Sequence, residues 1–140
     1  MAPPKHPVKI NVDLGEGYGN FTCGPDEELI RLGLIDHANV ASGFHAGDPL
    51  IMQQTVKLCK QYNIAVGAHP GLPDIHGFGR GEIEMSSEDM TAMTRCQVGA
   101  LTAFLDAEGL SLHHVKLHGV LYGMMYRDED VCRAVYSGAR

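Results

Sequence analysis

The sequence predicts a single α/β domain built around a parallel β-sheet. Segments that favour strands and segments that favour helices alternate four times over the 140 residues. Such alternation is typical of parallel strands joined by right-handed helical crossovers. Polar, titratable side chains also recur where the strands end, and the carboxyl ends of parallel strands are where binding residues collect. We therefore expect one functional rim along one edge of the sheet.

Composition and charge exclude several classes of protein. The chain is 44% hydrophobic and 20% charged, as in ordinary soluble globular proteins, and is long enough for one core. A formal charge of -6 without a Lys/Arg cluster argues against a nucleic-acid partner. No apolar run approaches the roughly 20 residues that span a bilayer. We expect a cytoplasmic protein without a nucleic-acid or membrane partner.

The amino terminus and the cysteines give no sign of secretion. Residues 1–7 (MAPPKHP) lack the apolar segment of a signal peptide and predict a short flexible tail ahead of a domain over residues 8–140. The four cysteines lie far apart without C-x-x-C spacing, which favours free thiols over a disulfide framework or a zinc site. They are Cys23, Cys59, Cys96 and Cys132.

The first strand and helix flank a glycine-rich loop. Residues 8–13 alternate apolar and polar side chains and predict the first strand. The loop over residues 15–20 lacks the P-loop and dinucleotide-binding patterns, so we expect it to form a backbone turn rather than a nucleotide site. Residues 25–34 predict a short helix with acidic residues in its first turn and Gly33 near its end.

The second strand ends in a histidine flanked by small residues. Residues 36–41 predict the strand, and the following SGFHAGDP sequence presents His45 just before a helix over residues 49–62. Asp48 precedes a proline, which is a strong helix-start signal, since aspartate caps orphan amides and proline suits the first helical position. A role as helix cap is therefore favoured for Asp48 over a catalytic role.

The third strand leads into a long irregular loop. Residues 64–68 form an apolar run that predicts a buried parallel strand. The loop over residues 69–85 contains His69 and Arg80, and loops of this length in compact domains are usually functional or disordered. A serine cap with an aspartate three residues later then starts a helix over residues 86–108.

The fourth strand carries the last titratable residues of the rim. Residues 113–117 predict the strand, and Lys116 and His118 alternate, so they face the same side. Asp128 is expected to open a fourth helix, which the end of the chain cuts short. Because a closed (β/α)8 barrel takes about 250 residues, we expect either an open half-barrel or an incomplete chain.

Several of these motifs, in this order, resemble the LamB/YcsF family of lactam-utilisation proteins. The resemblance covers residues 9–127 and rests on residues 12–17 (VDLGEG), 43–49 (GFHAGDP), 67–71 (GAHPG), 77–80 (GFGR) and 114–119 (HVKLHG). Four positions depart from the family pattern. Val12 and Ser42 stand where cysteine is usual, Leu117 stands where proline is usual, and Gly81 stands where arginine is common.

The resemblance implies a fold, an activity and partners. The implied fold is about half of a distorted seven-stranded β/α barrel similar to the glycoside hydrolase/deacetylase superfamily. The implied activity is that of an ATP-dependent 5-oxoprolinase, which opens the lactam of 5-oxo-L-proline to L-glutamate. ATP would be a co-substrate handled by the complex, and subunits B and C of 5-oxoprolinase would be the partners.

We assign candidate roles to the residues at the strand ends. Opening an amide ring calls for a general base or metal ligand, groups that orient the substrate, and a positive charge near the amide oxygen. The candidate catalytic residues are Asp13, Glu16, His45, His69, Lys116 and His118. The candidate substrate-binding residues are Asp48 and Arg80, although Arg80 could equally be an ordinary solvated arginine. For a divalent metal the candidate ligands are Asp13, His45 and His69.

The sequence is compatible with three interpretations of function. The first is a lactam-opening enzyme subunit that acts with partners. The second is a metal-dependent hydrolase of N-acetylated sugars, which rests on analogy of fold alone. The third is an inactive remnant that only binds a ligand or a partner. The sequence has no short metal motif such as H-E-x-x-H, so it leaves the presence of a metal undecided.

Overall fold

The computed structural model describes residues 8–140, and the predicted tail over residues 1–7 lies outside the described residues. Within that range the chain forms four strands and five helices. In chain order they are β1 (Asn11–Leu14), α1 (Asp26–Arg31), β2 (His37–Ala41), α2 (Pro49–Gln61), β3 (Ala65–His69), α3 (Ser87–Ala107), β4 (His114–Val115), α4 (Val120–Arg127) and α5 (Glu129–Gly138).

The strands pair as one parallel sheet in the order β1-β2-β3-β4, which confirms the predicted α/β architecture. Asp13 of β1 is in register with Asn39 of β2, and Asn39 is in register with Gly67 of β3. Gly67 in turn pairs with His114 of β4. The carboxyl ends of all four strands therefore lie along one edge of the sheet.

The two faces of the sheet differ in polarity. Because successive side chains of a strand alternate, Leu14, Val40 and Ala68 share one face, and all three are fully buried in the main hydrophobic core. Helices α2 and α3 cover this face and supply much of the core, and Ile30 of α1 adds to it. Asp13 and Asn39 lie on the opposite face. The polar residues of strands β1 and β2 therefore all point away from the helix-covered core.

The helix starts follow the predicted capping chemistry. The side chain of Asp48 accepts hydrogen bonds from the amides of Leu50 and Ile51, each at 2.9 Å, so Asp48 caps α2. Ser86 accepts from the amide of Asp89 at 3.1 Å and caps α3. Each cap satisfies amides that have no partner inside the helix. The predicted bounds of both helices are confirmed to within one residue.

The predicted bounds of the first and last strands were too long. Strand β1 begins at Asn11 rather than at residue 8, and β4 is limited to His114–Val115 rather than residues 113–117. The amides of Lys116 and His118 still donate to the carbonyls of Ala68 and Pro70, each at 2.9 Å, so pairing continues for two bonds beyond the strand. Gly119, with φ of 56°, then turns the chain sharply into a helix.

Helix α4 was not predicted, and the helix that Asp128 opens is the fifth rather than the fourth. The two glycines in and before α4, Gly119 and Gly123, favour a loop in the sequence. A second core holds this helix in place through Leu121, which is fully buried. Helix α5 packs closely on α3, since a Cβ at Gly138 would lie 2.5 Å from the Thr91 carbonyl oxygen.

The structure describes the state of the cysteines and the lengths of the helices. All four cysteines are free thiols. Cys59 is fully buried in the main core, and burial raises its pKa to about 12. Among residues 8–140, every helix is too short or too polar to cross a lipid bilayer.

Candidate functional site

Four side chains from four strand ends meet at the carboxyl edge of the sheet. Glu16 follows β1, His45 follows β2, His69 ends β3, and His118 follows β4. Each offers one ligand atom, and these four atoms all lie within 4.8 Å of one another. The three histidines are buried and Glu16 is half-buried. We call these four residues the His/Glu cluster.

The Glu16 carboxylate faces the three imidazoles. Its Oε1 atom lies 3.2 Å from Nε2 of His45, 3.4 Å from Nδ1 of His118 and 3.8 Å from Nε2 of His69. Three imidazoles and one carboxylate are a donor set that Zn²⁺ and other transition-metal ions bind readily. The cluster therefore has both the composition and the spacing of a metal site.

Backbone carbonyls fix the orientation of two of the rings. Nδ1 of His69 lies 2.6 Å from the carbonyl oxygen of Lys116, and Nε2 of His118 lies 2.8 Å from the carbonyl oxygen of Phe78. A ring nitrogen can bond to a carbonyl only by donating its hydrogen. In the neutral rings, the inner nitrogens of His69 and His118 are therefore both lone-pair acceptors.

Those two inner nitrogens, Nε2 of His69 and Nδ1 of His118, are only 3.0 Å apart. Two lone pairs cannot hydrogen-bond to each other, so a proton or a cation must lie between them for the contact to be favourable. Outer hydrogen bonds to carbonyls are also what metal-binding histidines ordinarily make. The residues present thus fit a divalent metal ion.

His45 completes the cluster in a buried, neutral state. Its ring stacks on the ring of His118 with centroids 3.7 Å apart and planes 2° from parallel. Its Nδ1 atom is buried and has no hydrogen-bond partner among residues 8–140. Burial lowers the pKa of His45, and burial together with the nearby His45 lowers the pKa of His118 to about 4. Both rings are therefore neutral at pH 7, the form that binds metals.

Glycines in the long loop after β3 allow it to pack on these rings. A Cβ at Gly71 would lie 2.5 Å from Nδ1 of His45. One at Gly79, where φ is +60°, would lie 2.8 Å from Cβ of His45 and 3.0 Å from Cδ2 of His118. Only glycine fits such close approaches. The loop that the sequence marked as functional therefore forms one wall of the His/Glu cluster.

Asp13 and Lys116 form an ion pair beside the cluster. Nζ of Lys116 lies 2.6 Å from Oδ1 of Asp13, and Oδ2 of Asp13 lies 3.4 Å from Nε2 of His69. Burial raises the pKa of Asp13, but the interactions with His69 and Lys116 outweigh burial and hold it far below its usual range. Asp13 is thus a carboxylate at every physiological pH.

The two predicted substrate-binding residues lie outside the His/Glu cluster. Both side-chain oxygens of Asp48 accept backbone hydrogen bonds, Oδ1 at the start of α2 and Oδ2 from the amide of Gly19 at 2.9 Å. Arg80 is exposed, and its guanidinium lies 5.7 Å from the centroid of the Phe78 ring. Phe78 in turn packs edge-on against the ring of His118. Binding of substrate by Asp48 or Arg80 stays a prediction.

Three polar residues on the same face of the sheet were not predicted to belong to the site. Asn39 hydrogen-bonds to both Asn11 and His114, and it also donates to Asp13. Asn11 and Asp13 are two residues apart on β1, which was a signal that this face of the sheet is polar. Recognising Asn39 and His114 would have required the strand register.

The sequence and the fold match proteins of one family. The model of the LamB/YcsF family matches residues 8–140. A protein of Emericella nidulans named lactam utilization protein lamB is 65% identical over 138 residues, which are 99% of this chain and 54% of that protein. A protein of Pyrococcus furiosus, named as the A subunit of 5-oxoprolinase, is 50% identical over 131 residues, covering 94% of this chain and 51% of that protein.

A solved structure gives the same result for the fold. The crystal structure of lactam utilization protein from Thermus thermophilus superposes with a TM-score of 0.87 at 50% sequence identity. The match covers 91% of this chain and 51% of that one, so the chain spans about half the length of the relatives it matches. On the family match over residues 8–140 and these identities, the chain belongs to the LamB/YcsF family.

Proposed function

We propose that this chain provides lactam-opening residues of an ATP-dependent 5-oxoprolinase, which converts 5-oxo-L-proline to L-glutamate. The observation that carries the proposal is the meeting of a carboxylate–lysine pair with the His/Glu cluster at one edge of the sheet. This arrangement occurs in a chain about half identical to proteins named as the A subunit of 5-oxoprolinase. Both facts concern the same stretch of sequence.

The chemistry of the substrate explains why such a site is needed. A five-membered lactam is an amide, so attack by water requires a stronger electrophile or a stronger nucleophile. Transfer of the γ-phosphoryl group of ATP to the amide oxygen supplies the electrophile and releases ADP. Water then adds to the activated carbon, the ring C–N bond breaks and phosphate leaves. The products are L-glutamate, ADP and phosphate.

The geometry supports distinct roles for the two carboxylates. The strongly lowered pKa of Asp13 makes it a poor proton acceptor but a stable negative partner for Lys116 or for a cation. Glu16 lies at the centre of the cluster and is the better placed of the two to take a proton from water. Lys116, whose side chain is 40% exposed, would stabilise negative charge that develops on the amide oxygen or the phosphoryl group.

A divalent metal ion fits the same residues. Glu16, His45, His69 and His118 would hold it, and Asp13 borders them through His69. A metal bound there would polarise an amide or phosphoryl oxygen or acidify a water molecule. The chain's own contribution is to hold the imidazoles of His69 and His118 in place through the carbonyls of Lys116 and Phe78.

Partner subunits are part of the proposal. The relatives are named as one subunit of 5-oxoprolinase, which implies further subunits, and we propose subunits B and C of that enzyme as the partners. The sequence has no P-loop motif, so we propose that ATP is bound with the help of surfaces that these partners supply.

The metal-site geometry favours one second candidate, a metal-dependent hydrolase that opens amides such as N-acetylated sugars without ATP. A pair of assays separates the two functions. The protein assembled with subunits B and C is given 5-oxo-L-proline and ATP, and the protein alone is given an N-acetylated sugar with divalent metal. Glutamate formation that requires ATP supports the proposal. Deacetylation without ATP, or no turnover in either assay, contradicts it.

A further inference from the structure

We infer that Asn39 is a positioning residue, whose side-chain amide sets which oxygen of the Asp13 carboxylate faces the His/Glu cluster. The inference concerns the geometry around Asp13, and its consequence for turnover rests on the proposed function. Asn39 is fully buried in the middle of β2 and is in register with Asp13 on β1.

The Asn39 amide uses its full capacity for hydrogen bonds. Its Nδ2 donates to Oδ1 of Asp13 at 2.8 Å and also to Oδ1 of Asn11. Its Oδ1 accepts from Nδ2 of Asn11 at 3.0 Å and lies 2.6 Å from Nε2 of His114. A carboxamide has two donor hydrogens and two acceptor lone pairs. All four are used, which is the condition under which a buried polar network is rigid.

The neighbours of Asn39 fix which way its amide points. A flipped amide would put its oxygen against the Asp13 carboxylate, and two acceptors 2.8 Å apart repel. With Oδ1 facing His114, Nε2 of His114 is the donor, so its Nδ1 accepts from Nδ1 of His113 at 3.0 Å. The negative charge on Asp13 therefore determines which group donates and which accepts in each hydrogen bond from Asn39 through His114 to His113.

A glycine on the intervening strand makes the contact with His114 possible. His114 belongs to β4, and strand β3 lies between β4 and β2. The residue of β3 in register is Gly67, where a Cβ would overlap the imidazole of His114 at Nε2. The imidazole therefore reaches across the bare backbone of Gly67 to the Asn39 oxygen.

The consequence for Asp13 is an asymmetric carboxylate. Oδ1 accepts from both Asn39 and Lys116, at 2.8 and 2.6 Å, which leaves Oδ2 to face Nε2 of His69 at 3.4 Å. None of the four bonds of Asn39 goes to the His/Glu cluster itself. Asn39 therefore acts on that cluster through Asp13 alone.

The direct test is the substitution Asn39→Asp in the enzyme assembled with its partner subunits. Aspartate keeps the shape and both acceptors of Asn39 but removes the donor and puts a carboxylate against a carboxylate. We expect kcat for 5-oxoproline opening to fall at least 100-fold, with KM changed less than threefold. Asn63→Asp makes the same change of charge beyond the end of α2 and should alter kcat less than twofold.

A double-mutant cycle separates positioning from general damage to the fold. In an Asp13→Ala background, Asn39→Asp should change kcat less than twofold, because the residue through which it acts is gone. Losses that multiply in the double mutant would overturn the inference.

A measurement independent of activity keeps the inference testable if a variant at residue 39 does not fold. By NMR, the Asn39 side-chain amide hydrogens should exchange with solvent at least tenfold more slowly than those of exposed Asn20. Asp13→Ala should speed the Asn39 exchange at least tenfold. Exchange that Asp13→Ala leaves unchanged would overturn the inference. If Asp13→Ala speeds the Asn39 exchange but the protein does not open 5-oxoproline, the positioning contact is supported and the proposed function is contradicted.

Discussion

His69 and His118 present their inner nitrogens to each other at 3.0 Å because a carbonyl holds the outer nitrogen of each ring. Neutral imidazoles in this arrangement bring two lone pairs together beside the oxygen of Glu16. A metal cation at the centre of the cluster would relieve the repulsion among all of these lone pairs at once. At the scale of residues, the cluster therefore favours a bound cation.

We predict that the purified protein binds one divalent ion per chain and that His118→Ala weakens the binding. Removing a ligand should cost at least as much as removing an outer-shell partner, which costs about 10–100-fold in affinity. Isothermal titration with Zn²⁺ after treatment with a chelator measures both quantities. His76→Ala changes an exposed histidine of the neighbouring loop and should leave the affinity unchanged. Failure to find stoichiometric metal would contradict the metal assignment.

Much of the site could be predicted from the sequence because its residues follow the strands directly. Glycine-flanked histidines and carboxylates after apolar runs indicated Glu16, His45, His69 and His118 without any knowledge of pairing. Asn39 could not be recognised in this way, because its partners lie on β1 and β4. Which residues it meets depends on strand register, and register emerges only when the whole sheet forms.

Helix α2 is connected to the His/Glu cluster through Asp48, the residue that caps its start. Asp48 caps the helix with Oδ1 and holds the amide of Gly19, in the loop that follows β1, with Oδ2. The same loop carries Glu16. One side chain thus joins the start of α2 to the segment that positions a member of the His/Glu cluster.

We predict that Asp48→Ala destabilises the protein by about 1 kcal/mol through loss of the helix cap. Loss of the hydrogen bond from the Gly19 amide should add to this destabilisation. Hydrogen bonds from the backbone amides, that of Ile51 first, lower the pKa of Asp48 in the folded protein. Because the pKa of Asp48 is lower in the folded protein than in the unfolded chain, where it is about 3.9, the ionised carboxylate stabilises the folded protein at pH values above about 3.9. This stabilisation is lost as the pH falls through the pKa of Asp48 in the folded protein. The difference between wild type and variant should therefore be largest near pH 7 and shrink below about pH 4.

Urea denaturation at several pH values measures this difference. Asp128→Ala is the matched control, because Asp128 makes the same pair of cap bonds at α5 but does not contact the loop after β1. Equal destabilisation by the two variants would contradict the added role of Asp48. A difference that stays constant from pH 7 to pH 3 would contradict the pH dependence.

The glycines of the loop after β3 shape the His/Glu cluster. Gly79→Ala should displace the rings of His45 and His118, because a methyl group there would overlap both, and the φ of +60° adds about 1–2 kcal/mol of strain. We expect a lower thermal midpoint and weaker metal binding. Gly81→Ala, where the added methyl meets only ordinary contacts, should change neither quantity. Equal effects of the two substitutions would show that the loop does not shape the cluster.

Secondary structure was predictable where capping chemistry was strong. Asp48 and Ser86 marked the starts of α2 and α3 to within one residue. Helix α4 was missed because Gly119 and Gly123 favour loops locally, whereas burial of Leu121 in the second core outweighs that preference. Strand β4 was predicted too long for a related reason: the chain turns at Gly119 to form the helix.

In the whole molecule, the two faces of the sheet have different roles. One face packs against α2 and α3, and the other bears the polar network and leads to the His/Glu cluster at the carboxyl edge. The sequence predicted the functional edge from strands that end in titratable groups, but it did not predict the polar face. The seven-stranded barrel implied by the family resemblance stays a prediction, since the described residues form a four-stranded sheet.

In the proposed function, Asp13, Lys116 and the His/Glu cluster open a lactam at the expense of ATP. The chain spans about half the length of its relatives, so the proposed function concerns the residues that this half contributes to an assembled enzyme. Loss of one of these residues should stop the chemistry without preventing assembly.

The most direct test measures L-glutamate formed and ATP consumed by the protein assembled with subunits B and C, for wild type and for Asp13→Ala. Asp13 is half-buried, so the variant should fold and assemble, which size-exclusion chromatography checks. We predict ATP-dependent glutamate formation by the wild type and a loss of about 100-fold or more in the variant, the scale of removing one electrostatic group from an active site. Turnover that Asp13→Ala leaves unchanged would contradict the account.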